Sequence, residues 1–132
     1  MSAPYQGGCL CGQVRWRAKA EPINVRICHC TLCQRWTGAP FFARALFRRE
    51  DVSFAGETTR WPTSPVIERR SCARCGTPLF SDPSNDPPRL GVSLASMDQP
   101  DALTPECHIF VSAKRAWVTI ADGLPQFAER PT

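Results

Sequence analysis

Val25-Arg26-Ile27-Cys28-His29-Cys30-Thr31-Leu32-Cys33 is the stretch on which the fold turns. Val25 and Ile27 flank Arg26 with the period of two expected of a half-buried strand, and that strand runs straight into three cysteines. A second stretch repeats the design. Val66 to Ser71 alternates and leads into Cys72-Ala73-Arg74-Cys75-Gly76. Cys9-Leu10-Cys11 forms a further cluster, so seven of the eight cysteines are grouped. Cysteines one or two residues apart bond poorly to each other, but their sulfurs converge readily on one ion. Zinc takes four such thiolates at about 2.3 Å each. Seven ligands divide into one closed four-sulfur site and one three-sulfur site with an open position, the difference between structural and catalytic zinc. The expected complement is two zinc ions per chain.

A disulfide framework is the competing reading of eight cysteines. Met1 to Gly8 has neither a basic flank nor an apolar run, and the longest apolar stretch, Phe41 to Phe47, is broken by Arg44. The expectation is a cytoplasmic chain with no secretory signal and no membrane partner, in reducing conditions where clustered cysteines bind metal. A length of 132 residues suits a single domain, 1–132, whose modest core would gain from metal cross-links.

Fourteen of the sixteen cationic residues are arginine, and the net charge is +4. They are scattered and interrupted by Glu50, Asp51, Glu57 and Glu68, so no basic run suggests a nucleic-acid partner. Arginine does suit two-pronged binding of a carboxylate or phosphate. Arg26 and Arg35, flanking the triplet, are the candidates for holding a substrate carboxylate.

The 13 prolines argue against long helices. Val14, Trp16 and Ala18 alternate with Arg15, Arg17 and Lys19. Phe41, Ala43, Ala45 and Phe47 share one face, with Phe42, Arg44 and Leu46 on the other. Leu79-Phe80, Leu90 to Leu94, His108 to Val111 and Trp117 to Ile120 read as further short strands. Their spacing predicts an all-β sandwich or barrel. One helical turn is expected, Thr31 to Trp36, with Thr31 as its N-cap. Ser81 to Arg89 reads as a long surface loop.

Spacing leaves the division of the seven thiolates open. Cys30/Cys33 with Cys72/Cys75 would resemble a zinc ribbon, although 38 intervening residues exceed the usual spacing of about 15–20. Cys9, Cys11, Cys72 and Cys75 would instead leave Cys28, Cys30 and Cys33 together, a division favoured by the triplet's compactness.

Gly7-Gly8-Cys9-Leu10-Cys11-Gly12, Cys28 to Cys33 and Cys72-Ala73-Arg74-Cys75-Gly76-Thr77-Pro78-Leu79 resemble the glutathione-dependent formaldehyde-activating enzyme (GFA) family. His108-Ile109, Lys114 to Trp117 and Asp122-Gly123-Leu124-Pro125 extend the likeness, from about residue 7 to 127. The family includes the centromere protein V group. The resemblance implies a β-rich fold of stacked antiparallel sheets with zinc knuckles, related to methionine sulfoxide reductase B. It implies a structural zinc on Cys9, Cys11, Cys72 and Cys75, and a second, active-site zinc on Cys28, Cys30 and Cys33. It also implies carbon–sulfur lyase chemistry on a small-molecule thiol, glutathione or similar, with formaldehyde or a like electrophile. Ser71 stands where the family often has an aromatic residue. A non-catalytic, zinc-stabilised binding module is the alternative function.

Four further residue sets carry expectations. Cys107 reads as a small apolar residue at a strand start. His29, between two proposed ligands, should turn its ring away from the ion, either packed behind the ligands or facing solvent. His108 reads equally as a substrate-orienting or proton-transferring group and as a buried structural histidine. Trp16, Trp36, Trp61 and Trp117 read as mostly core, with Trp36 also placed to wall a pocket.

Overall fold

The protein is described here by a computed structural model covering residues 2–84 and 87–131. Two sheets organise the described residues. β1 (Tyr5–Gly8), β2 (Arg15–Ala18) and β5 (Val52–Ala55) form the smaller, in the order β1-β2-β5. The larger has seven strands: β3 (Asn24–Cys28), β4 (Phe42–Arg48), β6 (Thr58–Ser64), β7 (Ile67–Cys72), β8 (Pro78–Pro83), β9 (Arg89–Ser93) and β10 (Cys107–Ile109). Their order is β10-β3-β4-β9-β8-β7-β6. One helix, α1 (Thr31–Thr37), follows β3.

The expected β-rich fold with only short helical turns is what forms: besides α1, the described residues hold three single 3-10 turns, Arg49–Asp51, Leu94–Ser96 and Val111–Ala113. Among the described strands pairing is antiparallel except where β10 joins β3 in parallel, and His108 of β10 makes a further parallel bridge to Gln126. The main core lies between the sheets. Tyr5, Trp16, Ala18 and Val52 from the smaller sheet, with Val14 just before β2, meet Val25, Ala45, Phe47, Phe80, Leu90 and Val92 from the larger. Gly7 is required for this closeness: a Cβ there would lie 2.0 Å from the Ser96 carbonyl oxygen, beside the bridge between Gly7 and Met97.

Because side chains alternate along a strand, the larger sheet has a second inward phase. Asn24, Arg26 and Cys28 of β3 and Phe42, Arg44 and Leu46 of β4 point away from the core, into a cavity on the opposite face. Ile67 and Arg69 of β7 and Ser81 and Pro83 of β8 line the same cavity. Register places Arg26 directly opposite Arg44, and Cys28 opposite Phe42. Gly91 of β9 makes room for this row, since a Cβ there would stand 3.2 Å from both the Arg44 Cδ and the Ser81 Cβ.

Several expectations fail for identifiable reasons. Trp117 to Ile120 is not a strand, and Trp117 is 71% exposed. The edge of β10 is taken by the C-terminal segment, where the Phe127 N–H donates to the His108 carbonyl and the His108 N–H to the Pro125 carbonyl. Trp61 is likewise exposed rather than core, on the edge strand β6, while Trp16 is buried as expected. Phe41 falls outside β4 and is exposed. The long loop is shorter than expected, because β8 continues through Pro83 and β9 begins at Arg89. Within it, Asn85 and Asp86 lie outside the described residues.

Candidate metal centres

The first cysteine cluster joins the two layers. Cys9 and Cys11 lie in the turn from β1 to β2, Cys72 ends β7, and Cys75 lies in the turn to β8. Their four sulfurs all lie within 4.8 Å of one another, with Cys9–Cys11 at 3.6 Å and Cys11–Cys72 at 3.8 Å. Tetrahedral zinc with 2.3 Å bonds requires about 3.8 Å between sulfurs. Backbone donors already face the sulfurs. The Val14 N–H reaches Cys9 Sγ at 3.2 Å, and the Arg74 and Cys75 N–H groups reach Cys72 Sγ at 3.3 and 3.4 Å. The Thr77 hydroxyl lies 3.1 Å from Cys75 Sγ and, with the Thr77 backbone, brings that thiol down to about 5.

The second cluster is local. Cys28 ends β3, Cys30 caps α1, and Cys33 is in its first turn. Cys30, rather than the expected Thr31, is the N-cap: its sulfur accepts the Cys33 N–H at 3.3 Å. The three sulfurs lie within 4.8 Å of one another. Among the described residues no fourth cysteine, histidine, aspartate or glutamate joins them. Hydrogen bonding from Cys28 and Cys33 pulls the Cys30 thiol far down, while Cys30 and Cys33 push Cys28 up. Three thiols this close cannot all ionise without a cation among them, and a divalent metal satisfies that requirement. The donor set fits zinc in both clusters. The zinc-ribbon division, joining Cys30 and Cys33 to Cys72 and Cys75, is not the arrangement that the fold makes.

A buried arginine braces the triplet. The Arg69 guanidinium, 4% exposed, directs Nη1 and Nη2 at Cys33 Sγ at 3.5 and 3.4 Å. It stacks 4.9 Å from the Trp36 ring, and its Nε donates to the Thr63 hydroxyl. Trp36 packs edge-on against Phe42 and donates to the Ser71 hydroxyl, at the position where an aromatic residue was noted as usual. Nothing in the sequence marks Arg69 as a partner of Cys33, but its inward phase on β7 is a readable signal.

His29 is fully buried, not solvent-facing, and lies outside the cavity lining. Its Nε2 meets His108 Nδ1 at 2.9 Å, and His108 Nε2 meets Asp122 Oδ2 at 2.7 Å. The carboxylate can only accept, so His108 donates from Nε2; with a neutral His108 ring, Nδ1 accepts and His29 donates from its own Nε2. His29 Nδ1 is then buried without a partner and must be a bare lone pair, so the ring is neutral. Burial and the adjacent His108 hold it below the ordinary imidazole value. His108 is therefore a buried link in this chain and not a cavity residue. Cys107, also buried, belongs to neither cluster.

The triplet opens into a cavity of about 320 Å³. Five arginines line it: Arg26, Arg44, Arg69, Arg89 and Arg130. Arg35 does not. It lies on the other side of α1, in a depression shared with Arg115 and Trp117.

A two-layer β fold with two cysteine clusters, each able to hold a metal ion and one of them opening into an arginine-lined cavity, defines a cysteine-cluster protein. The sequence profile of the glutathione-dependent formaldehyde-activating enzyme family matches residues 4–113, and the chain belongs to that family. An "uncharacterized lyase" of Schizosaccharomyces pombe is 33% identical over 76 residues, covering 58% of this chain and 56% of that protein. A "putative glutathione-dependent formaldehyde-activating enzyme" of Aspergillus flavus is 28% identical over 134 residues, covering 96% of this chain and 61% of the relative. The chain thus spans about three fifths of the length of these curated relatives. A crystal structure of a Rhodobacter sphaeroides protein shares the fold at a TM-score of 0.59 and 24% identity, covering 76% of this chain and 91% of that one. No helix among the described residues is long and apolar enough to cross a membrane.

Proposed function

We propose that this chain is a zinc-dependent carbon–sulfur lyase, a single cytoplasmic domain acting at the sulfur of glutathione or a related thiol to add or release a formaldehyde-like electrophile. The carrying observation is the Cys28–Cys30–Cys33 triplet, which has no fourth protein ligand among the described residues and opens into a cavity. Cys28, Cys30 and Cys33 would hold the second zinc, and Cys9, Cys11, Cys72 and Cys75 the structural one. Zinc bound at the triplet supplies a seat in which a substrate thiol is held deprotonated.

The chain's own residues do the rest. Arg69 offsets the negative charge of the thiolates and fixes Cys33. Phe42, Leu32 and Ile109 give the cavity apolar walls, and the remaining arginines hold the anionic part of the thiol. In the forward reaction the sulfur bonds to the carbonyl carbon as the C=O π bond breaks, and the thiol proton ends on the new hydroxyl. The reverse breaks that carbon–sulfur bond.

The test follows a thiol with formaldehyde by proton NMR. The hydroxymethyl adduct should form faster with the protein than with its Cys30→Ser variant. Equal rates, with no change in a cobalt-substituted spectrum on adding thiol, would leave the binding module as the better reading.

A further inference from the structure

We infer that the cavity is built for a small thiol bearing at least two carboxylate or phosphate groups and no ammonium group. The inference deepens the lyase reading and rests on it for the position of the sulfur. Its own support is the charge inventory. Arg26 from β3, Arg44 from β4, Arg69 from β7, Arg89 from β9 and Arg130 near the C-terminus converge on one cavity in whose lining, among the described residues, there is no aspartate or glutamate. A divalent ion on three thiolates would offset only about one of these charges.

Strand alternation creates the imbalance. Glu68 and Asp82 have neighbours in the lining but occupy the opposite phase, where they meet Arg70 at 3.8 and 3.1 Å. Arg44 lies directly opposite Arg26, and like charges so placed repel. The Arg44 side chain donates to neutral Asn24 Oδ1 at 2.5 Å. Its burial, with Arg26 beside it, pulls it down to about 10. The Nε atoms of Arg26 and Arg89 are buried without a hydrogen bond, and the carboxylate facing Arg26, Glu106, stands 3.7 Å away and is itself 54% exposed. Of the five only Arg69 is buried; Arg26, Arg44 and Arg89 are half-buried and Arg130 is exposed. Several partly desolvated guanidiniums with incomplete hydrogen bonding in one cavity favour an anion with more than one charge.

The same inventory disfavours an ammonium, which would meet the guanidiniums and, among the described residues of the lining, no carboxylate. Glutathione carries such a group. Size agrees, because 320 Å³ lies at the lower end of the range of about 300–1,000 Å³ for ligand clefts.

Calorimetric titration of the zinc-loaded protein tests this with mercaptosuccinate, glutathione, 2-mercaptoethanol, succinate and inorganic phosphate. Mercaptosuccinate should bind at least about tenfold more tightly than glutathione or 2-mercaptoethanol. Arg44→Gln and Arg89→Gln should each weaken it about tenfold, the loss of one charge-assisted contact. The stronger of succinate and phosphate identifies the anion class. Glutathione binding as tightly as mercaptosuccinate would overturn the inference, as would unaltered affinity in both arginine variants. Mercaptosuccinate and succinate binding equally, with no change in a cobalt-substituted spectrum, would instead refute the thiol seat and leave the polyanion cavity standing.

Discussion

Arg69 aims both terminal nitrogens of its guanidinium at the sulfur of Cys33, at 3.5 and 3.4 Å, across 36 residues of chain. β7 thereby braces a cluster whose cysteines all come from β3 and α1. The two hydrogen bonds occupy sulfur lone pairs that would otherwise be free for reagents, and they hold a positive charge where thiolates are crowded.

Arg69→Gln should lower stability by about 1.5–3 kcal/mol, the usual worth of hydrogen bonds to a charged group. It should also raise the rate at which a thiol reagent labels Cys33, followed by mass mapping. Lost stability with unchanged labelling would reduce Arg69 to a packing residue against Trp36.

Two zinc ions per chain are expected by elemental analysis, with the triplet's ion leaving first under mild chelation because its fourth position is open. Cys9→Ser should depress the melting temperature sharply, since it cuts a tie between the layers. Cys30→Ser should stay folded with one zinc. Equal unfolding of both variants would make both sites structural.

The neutral His29 predicts a pH dependence. Its folded pKa lies below the unfolded value of about 6.5, so folding favours the uncharged ring. The stability it contributes is complete above that value and is lost as pH falls toward the folded one. Denaturant midpoints measured between pH 7.5 and 5.5 should fall more steeply in the native protein than in His29→Gln. Equal slopes would assign the loss to protonation of the thiolates.

Gly91→Ala probes the space kept for Arg44. The added methyl would lie 3.2 Å from the Arg44 Cδ and from the Ser81 Cβ, so the arginine must shift. A stability cost of about 1 kcal/mol is expected, with a clear loss of anion affinity by calorimetry. Unchanged affinity would show that Arg44 reaches its ligand from elsewhere.

The legible parts of this chain are those where local pattern and tertiary role coincide. Val14, Trp16 and Ala18 alternate because one face of β2 meets the core, and the cysteines announce themselves by spacing. β5 and β6 escaped because strands flanked by charge, or exposed at an edge and bent at Pro62, show no such contrast. Trp117 misled because a strand-like run carries no sign of whether the fold offers it a pairing edge. Arg44 shared a face with Phe42 and Leu46 in the sequence itself. Its meaning needed Arg69, Arg89 and Arg130, which only the folded sheet brings to the same cavity.

The two clusters differ in how far apart their cysteines lie along the chain, and this bears on the order of assembly. Cys28 to Cys33 is one hexapeptide, able to gather its sulfurs before the rest of the chain has folded. Cys11 and Cys72 are 61 residues apart, and their meeting carries the entropy of closing that loop. Metallation should therefore begin at the triplet during synthesis and finish at the four-cysteine site. A metal that also binds the unfolded chain stabilises the native state by less than its affinity suggests. The site proposed for chemistry is thus the weaker rivet, and the late-closing one acts as the lock on the finished fold.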